Sequence, residues 1–304
     1  MKRVLFMGTP DYATIIFKKL IESDYEVVGL FTQPDKKVGR KQVITPPHIK
    51  QYCIDENIEL PIYQPNTLRE EQVVEDIKSL KPDFIVVAAY GQILLKSILD
   101  IAPCINLHAS LLPLYRGASP IQESILYNDE FTGVTSMLME EGLDSGDILG
   151  LSYLKIDDET MIDKLFYDLS NIAADLTIDT LDRFEKIAPL KQDHKKATYC
   201  KKIKKDNGLV DFSDAKTLYT KYRAYKYWPG VFLESGLKLK EIAFNENDSI
   251  NDEAKILEIA KDYAIIGCGK GSIKVQTIQA PSKKAVNIVD YLRGKRLELG
   301  DTLS

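Results

Sequence analysis

The chain has 304 residues, a formal net charge of −5, 44% hydrophobic residues and 28% charged residues. These proportions are typical of a folded globular protein and exclude a fibrous or disordered one, and the length is sufficient for two domains with separate cores. The negative net charge argues against broad, nonspecific adhesion to nucleic acid, although it does not exclude local basic patches.

The sequence contains no apolar segment long enough to span a membrane, and the run from Val4 to Met7 is too short for the core of a signal peptide. We therefore expect a cytoplasmic protein without a membrane partner. The cysteines at positions 53, 104, 200 and 268 form no C-x-x-C pair. Their spacing predicts neither a zinc site nor a disulfide framework.

Short apolar runs alternate with helical patterns through the first half of the chain. The runs at residues 4–7, 25–32, 83–90 and 104–108 are typical of strands, and their alternation with helices predicts an α/β domain with a mostly parallel sheet. Residues 83–90 are almost wholly apolar, as in a central strand covered on both faces. A helical pattern from Thr160 to Ile187 is expected to close this domain.

The composition changes after residue 188. Between Lys191 and Lys205, seven lysines accompany one acid, Asp193, and large apolar residues are scarce. This predicts an exposed basic linker. Beyond it, β-like runs at residues 230–233, 238–242, 263–266 and 272–278 indicate a small barrel or sandwich. The expected organisation is a first domain over residues 1–188, a linker over 189–206 and a second domain over 207–304.

Two polar clusters are candidates for chemistry. Asn106 and His108 are two residues apart on a predicted strand, so their side chains project from one face. An imidazole exchanges protons near neutral pH, and an amide can donate to a developing oxyanion. The loop from Gly142 to Asp147 offers Asp144 as a partner for His108. Each cluster alone is also compatible with a structural role, the first at a strand end and the second in a surface turn.

Together these segments resemble the signature of folate-dependent formyltransferases. The resemblance rests on Asn106 to Pro113 (NLHASLLP), Tyr115-Arg116-Gly117 and Gly142 to Asp147 (GLDSGD). Five further segments narrow the resemblance to the branch of the family that formylates methionyl-tRNA. They are Phe6 to Asp11, Phe31 to Asp35, Gly39-Arg40, Ala89 to Gly91 and Tyr227 to Gly230. Ser145 stands where threonine is more usual, and both residues carry a hydroxyl.

The resemblance implies a Rossmann-like formyltransferase domain followed by an OB-like β-barrel, and we expect a monomer. It implies 10-formyltetrahydrofolate as co-substrate and initiator methionyl-tRNA as acceptor, with no metal. Asn106, His108 and Asp144 match the catalytic positions. The residues that match the folate site are Ser110, Leu111, Leu112, Pro113, Tyr90 and Gly91. For Leu111 and Leu112, packing in the core is an equal alternative.

A basic segment from Asp35 to Lys50 matches the family's loop that enters the acceptor end of tRNA. The resemblance implies tRNA contacts for Lys36, Lys37, Arg40 and Lys41, with Arg40 at the place of the key arginine. Gly39 and the nearby prolines lead us to expect no regular structure in this segment, and a solvated charged turn is the alternative. The linker lysines and basic residues 283, 284, 293, 295 and 296 can extend a phosphate-contacting track.

Two other functions compete with this interpretation. A sugar-nucleotide N-formyltransferase would share the Asn-His-Asp core but act on a small amino sugar, and a non-catalytic tRNA-binding protein would keep only the fold. The segment at 35–50 and the basic linker argue against the first, and the intact catalytic residues argue against the second.

Binding of NAD is unsupported because the G-x-G-x-x-G pattern is incomplete after Gly8.

Overall fold

The computed structural model describes residues 1–39 and 41–303. These residues divide into two compact units, and most contacts of each unit are internal to it. The first unit comprises Met1–Ile121, Glu130–Ile156 and Asp163–Lys201, and the second comprises Gln122–Asp129, Asp157–Ile162 and Lys202–Ser304.

Eleven strands and six helices are described before residue 202. The strands are β1 (Arg3–Gly8), β2 (Glu26–Phe31), β3 (Lys36–Val38), β4 (Val43–Thr45), β5 (Ile62–Tyr63), β6 (Phe84–Ala88), β7 (Cys104–His108), β8 (Arg116–Gly117), β9 (Phe131–Leu138), β10 (Ile148–Lys155) and β11 (Tyr199–Cys200). The helices are α1 (Asp11–Ile21), α2 (His48–Asp55), α3 (Glu71–Ser79), α4 (Lys96–Leu99), α5 (Pro120–Leu126) and α6 (Ile162–Arg183).

A seven-stranded sheet in the order β10-β9-β7-β6-β1-β2-β5 forms the centre of the first unit. Strands β1, β2, β5, β6 and β7 are parallel, and β9 and β10 are antiparallel. The chain adds strands on one side of β1 and then on the other, so strand order reverses between β1 and β6. In open sheets of this kind, ligands bind beyond the carboxyl ends of the strands near such a reversal.

The second unit is built on an antiparallel sheet. Its elements are α7 (Ala215–Tyr225), β12 (Val231–Phe232), β13 (Lys238–Glu246), β14 (Ile256–Ile259), β15 (Ala264–Gly267), β16 (Ser272–Gln279), β17 (Val286–Asn287) and α8 (Ile288–Lys295). The strand order is β12-β13-β16-β15-β14, with β17 beside β16. Its core contains Ile256, Ile266 and Val275 from the sheet, Leu218 from α7 and Leu292 from α8. The carboxylate of Asp214 begins α7 by accepting the backbone N–H of Thr217.

The coarse fold prediction is confirmed. The first half contains a mostly parallel sheet, and β6, predicted to be central, lies between β1 and β7 with all its residues buried. The predicted helix after residue 160 is α6. The sheet of the second half is antiparallel. Across residues 1–39 and 41–303, no helix has the length and apolar character needed to cross a membrane.

The expectation of no regular structure between Asp35 and Lys50 is wrong. Strands β3 and β4 form a short antiparallel hairpin, and α2 begins at His48. The residues that argued against regular structure lie in the turn and beyond β4: Gly39 has a φ of +69°, and Pro46 and Pro47 come between β4 and α2. Glycine and proline at these positions end one short element before the next begins, and they do not prevent the elements from forming.

Candidate active site

Strand β7 carries Asn106 and His108 at its carboxyl end. The two side chains point to the same face because strand residues alternate, and they are buried, with 9% and 6% of their surfaces exposed. The neighbouring strands are β6 and β9, which pair with Asn106 through Val87 and Met137. The two polar groups therefore lie on an interior strand of the sheet, which is paired with a strand on each side.

The loop between β9 and β10 brings Asp144 to this pair. Asp144 Oδ1 accepts a hydrogen bond from Asn106 Nδ2 at 3.3 Å, and Oδ2 lies 3.8 Å from His108 Nδ1. Oδ2 also accepts the backbone N–H of Gly117 at 2.9 Å. An amide, an imidazole and a carboxylate thus converge, as the sequence had led us to expect.

Asp144 has a φ of +47°, in the left-handed region. Aspartate visits this region more readily than most residues, but the conformation still costs about 1–3 kcal/mol and persists where the surroundings hold it. Its neighbour Gly146 is closely confined, because an added Cβ would lie 1.8 Å from the carbonyl oxygen of Leu138. The backbone of this loop is therefore fixed rather than free to turn.

The hydrogen bonding of His108 defines which ring nitrogen can act. Nε2 lies 2.9 Å from the carbonyl oxygen of Tyr115. A carbonyl only accepts, so Nε2 carries a proton and donates it. Nδ1 faces Asp144 at 3.8 Å, which is beyond a hydrogen bond. Nδ1 is thus the ring nitrogen directed at the carboxylate and available for proton transfer.

Strand β8 holds both acid–base groups through its backbone. The carbonyl of Tyr115, just before β8, fixes His108, and the N–H of Gly117 fixes Asp144. The strand pairs with β11, opposite Tyr199 and Cys200. The segment predicted as an exposed linker therefore contributes a strand to the first unit, and within it Gln192 and Cys200 are buried. Their burial was not predicted, because the surrounding lysines dominate the composition.

The residues expected to contact folate fall into two groups. Ser110 and Leu112 are buried: the hydroxyl of Ser110 donates to the carbonyl of Leu114 at 2.6 Å, and Leu112 packs with Met137 and Ile148. Leu111 and Pro113 are only half-buried. For Leu112, packing accounts for the side chain, whereas Leu111 and Pro113 retain surface that a ligand can contact.

The side chain of Tyr90 is directed into the core. It is 2% exposed and packs with Leu94 and Ile98, and this burial raises the pKa of its phenol. Its carbonyl oxygen accepts the hydroxyl of Thr9 and the amide of Gln33, each at 3.2 Å. At Gly91, with a φ of +84°, the chain turns after β6. The backbone of this segment, rather than the tyrosine ring, is the part turned away from the core.

The three lysines expected to contact tRNA lie on or beside the β3–β4 hairpin. Lys36, Lys37 and Lys41 are exposed, whereas Arg40 lies outside the described residues. Lys50, at the end of the same basic segment, is engaged: its ammonium group bonds Asp35 at 2.9 Å and Gln64 at 2.7 Å. The hairpin therefore presents three exposed lysines, and Lys50 is held by an ion pair.

The described residues include no group of three or more His, Cys, Asp or Glu side chains able to hold a metal ion. The groups that converge at this site are an amide, an imidazole and a carboxylate. An amide N–H can stabilise negative charge on an oxygen, and an imidazole with a carboxylate nearby can transfer protons.

Comparison with known proteins relates this arrangement to a family. Residues 1–180 match the family model described as formyl transferase, and residues 202–296 match that of the formyl transferase C-terminal domain. The methionyl-tRNA formyltransferase of Nitratiruptor sp. is 58% identical over 99% of both chains. That of Wolinella succinogenes is 52% identical over the full length of both.

Solved structures share the fold at lower identity. HypX from Aquifex aeolicus, solved in complex with tetrahydrofolic acid, superposes with a TM-score of 0.68 at 14% identity; the match covers 99% of this chain and 49% of HypX. The chain thus spans about half of HypX, and this likeness concerns the fold alone. By its family-model matches and its full-length relatives, the chain belongs to the formyl transferase family, alongside the methionyl-tRNA formyltransferases of these bacteria.

Proposed function

We propose that the chain transfers the formyl group of 10-formyltetrahydrofolate to the amino group of methionine on initiator methionyl-tRNA. The observation that carries this proposal is the convergence of Asn106, His108 and Asp144 at the end of β7 in a member of the formyl transferase family. The full-length similarity to methionyl-tRNA formyltransferases supports the choice of acceptor. We also propose that the chain acts in the cytoplasm and as a monomer.

In this reaction a C–N bond forms between the methionyl amine and the formyl carbon, and the bond from that carbon to N10 of the folate breaks. The amine loses a proton, and N10 gains one. We assign the stabilisation of the carbonyl oxygen, as it becomes negative, to Asn106 and protonated His108. One N–H of the Asn106 amide is engaged by Asp144, and the other remains for the oxygen.

Asp144 is assigned a proton-transfer and orienting role. Its carboxylate is held by the N–H of Gly117 and lies 3.8 Å from His108 Nδ1. That separation allows a water molecule or the substrate amine to contact both groups. Because Nε2 of His108 is engaged by a carbonyl, proton exchange with substrate is assigned to Nδ1.

The folate site is proposed along Ser110 to Pro113, with the backbone of Tyr90 and Gly91 as a further wall. The half-buried apolar surfaces of Leu111 and Pro113 suit a flat pterin ring, whereas Ser110 and Leu112 support the segment from behind. Ligand sites commonly combine such apolar walls with a few placed polar groups. This division predicts that Leu111 and Pro113, rather than Leu112, determine folate affinity.

The tRNA contacts are proposed on the β3–β4 hairpin and on the second unit. Lys36, Lys37 and Lys41 are exposed cations on one hairpin, and Arg40 is included on the sequence resemblance. We propose that residues 1–188 form a Rossmann-like catalytic domain and 207–304 an OB-like barrel that binds tRNA. The basic segment 189–206 is proposed as the linker between them, with its strand β11 paired to β8 of the first unit. The antiparallel sheet of the second unit is compatible with such a barrel.

The decisive experiment supplies the formyl donor with methionyl initiator tRNA, methionyl elongator tRNA or an amino-sugar nucleotide. N-formylmethionine on the initiator tRNA, with little on the elongator, supports the proposal. Formylation of the sugar supports the alternative enzyme, and no formylation supports a binding protein. His108→Ala should lower turnover by about 10²- to 10⁴-fold, because it removes a positioned proton carrier. Near-normal turnover of this variant would refute the catalytic assignment.

A further inference from the structure

Gln192 lies buried beside the loop that carries Asp144. The segment before it runs along the start of β10, where Leu190 and Ile148 exchange backbone hydrogen bonds of 2.8 and 2.9 Å. Gln192 itself is 5% exposed, although it lies in the lysine-rich segment between α6 and β11. A buried amide in such a segment requires partners, and the structure supplies a full set.

Both ends of the Gln192 amide are satisfied. Nε2 donates to the carbonyl oxygens of Asp144 at 3.0 Å and Gly146 at 2.7 Å. Oε1 accepts from Arg116, at 3.1 Å from Nε and 2.6 Å from Nη2. The orientation of the amide is fixed by chemistry, since a flipped amide would place its NH₂ group against a guanidinium and its oxygen against two carbonyls.

The partners of Gln192 are the two backbone segments that hold the acid–base groups. One is the loop of Asp144, whose left-handed backbone must be held for the carboxylate to face His108. The other is Arg116, which is 2% exposed and lies between the carbonyl that fixes His108 and the N–H that fixes Asp144. The Gln192 amide is therefore hydrogen-bonded both to the loop that carries Asp144 and to the strand whose backbone contacts His108 and Asp144.

We infer that Gln192 is a positioning residue for the proposed formyl transfer, acting through the backbone of Asp144 and through Arg116. The expected effect on kcat rests on the proposed function, whereas the placement of Asp144 by Gln192 is inferred from the hydrogen bonds alone. Gln192 sets the direction of the Asp144 carboxylate, and its loss therefore affects turnover rather than the affinity for either substrate.

Gln192→Glu tests this role with little change of shape. The carboxylate still accepts from Arg116, but it has no N–H groups for the carbonyls of Asp144 and Gly146. We expect kcat to fall by about 10- to 100-fold, with the KM for each substrate nearly unchanged. The thermal midpoint should fall, because a buried carboxylate oxygen then faces two carbonyl oxygens, and the assay is run well below that midpoint. Gln72→Glu, on the exposed face of α3, is the matched control: it also loses amide donation, here to Asp76 at 2.8 Å, and it should keep the wild-type kcat and KM values. Wild-type kcat in Gln192→Glu, or a loss expressed only in KM, overturns the inference.

A second measurement does not depend on activity. The N–H of Gly117 donates to Asp144 Oδ2, so its hydrogen exchange reports whether that carboxylate is in place. Exchange at Gly117 should be faster in Gln192→Glu and unchanged in Gln72→Glu. Equal exchange in Gln192→Glu and wild type overturns the positioning role. If the wild-type chain formylated no acceptor, the proposed function would fail while this readout still tested the position of Asp144.

Gln192→Ala removes the whole amide and so tests the same role with a larger change. It removes the oxygen that accepts two hydrogen bonds from the buried Arg116 guanidinium, which keeps its contact with His194 Nδ1 at 3.1 Å, and it removes both N–H donors. We therefore expect a lower thermal midpoint in addition to the loss of kcat. A Gln192→Ala protein that kept wild-type kcat and Gly117 exchange would exclude positioning by this side chain.

Discussion

Gly117 lies where no side chain fits. Its φ is +120°, and an added Cβ would lie 2.2 Å from the carbonyl oxygen of Cys200 on β11. The same residue donates its N–H to Asp144. The lack of a side chain at this position therefore allows β8 to pair with β11 and to hold the carboxylate at the same time.

Gly117→Ala should disturb both functions of this residue. Relief of the contact with Cys200 requires β8 to move, which displaces the N–H from Asp144. We expect a loss of about 1–3 kcal/mol in the free energy of unfolding and at least about a 10-fold fall in kcat. Urea unfolding and the formylation assay measure the two effects.

Gly294→Ala is the control for this change. Gly294 lies in α8 with no atom within 4 Å of an added Cβ. Alanine there should leave kcat unaltered and stabilise the helix by about 0.5–1 kcal/mol. A Gly117→Ala protein that resembled Gly294→Ala would show that β8 tolerates a side chain and does not fix Asp144.

Local spacing was sufficient to predict Asn106 and His108 as a pair, because side chains two apart on one strand share a face. Asp144 was predicted as their partner from its glycine-bracketed loop and the family resemblance. Gln192 was not predicted, since its bonds reach Asp144 and Arg116, which are 48 and 76 residues away. The lysines around it have the composition of an exposed segment, so neither charge nor periodicity marks it as buried.

At the scale of the element, the end of β13 is organised by a single carboxylate. Glu246 accepts the backbone N–H groups of Asp248 at 2.8 Å and Ser249 at 3.1 Å. It also accepts the hydroxyls of Ser249 and of Ser272, the first residue of β16. The hydrogen bonds from Ser249 and Asp248, which favour the charged form, lower the pKa of Glu246 to about 2. The turn after β13 therefore depends on an ionised group.

Stability of the second unit should consequently depend on pH. A carboxyl whose pKa is lowered by folding contributes above its ordinary value of 4.5, and this contribution is lost as pH falls from 4.5 toward 2. Glu246→Gln should be less stable than wild type at pH 7, and the difference should shrink below pH 4.5. Urea unfolding between pH 7 and pH 3 measures it.

Glu241→Gln, at an exposed position on the same strand, is the control, and it should follow the wild-type curve across this range. A difference between wild type and Glu246→Gln that stayed constant with pH would mean that ionisation of Glu246 does not hold the turn.

Strand β9 shows where apolar patterns fail. Strand β9 (FTGVTSML) has buried threonine and serine in place of large aliphatic residues. Their hydroxyls are satisfied by distant partners: Thr135 donates to the carbonyl of Ser110 at 2.6 Å, and Ser136 accepts from Thr180 at 2.8 Å. A buried hydroxyl with a partner substitutes for an apolar side chain, and the partner is not visible in a local window. Strand β6, which has no such residues, was predicted correctly.

At the scale of the whole molecule, the clustered site belongs to one unit. Asn106, His108, Asp144 and Gln192 all lie in the first unit. Relatives 52–58% identical to the chain extend over both units, so the second unit is as much a part of these proteins as the site. The proposal that the second unit binds tRNA is compatible with a cluster that lies in the first unit.

The binding of tRNA by a chain with a net charge of −5 must come from local basic surfaces. The exposed lysines 36, 37 and 41 of the hairpin and those of the 191–205 segment are the candidates. If about five phosphates are neutralised, the logarithm of the binding constant should fall against the logarithm of salt concentration with a slope of about −3.5 to −4.5. Fluorescence titration of initiator tRNA at several potassium chloride concentrations measures this slope.

Lys36→Gln combined with Lys37→Gln should flatten the slope by about 1.4 to 1.8, because each lost phosphate contact removes 0.7 to 0.9. Lys78→Gln combined with Lys96→Gln is the control, since both lysines are exposed and already pair, with Glu75 and Asp100, each at 2.9 Å; it should change net charge by the same amount without changing the slope. An equal effect of both variants would mean that long-range charge, rather than contact by the hairpin, controls affinity. A response to salt that was flat in the wild-type chain would exclude the basic track altogether, and recognition of tRNA would then have to rest on uncharged contacts.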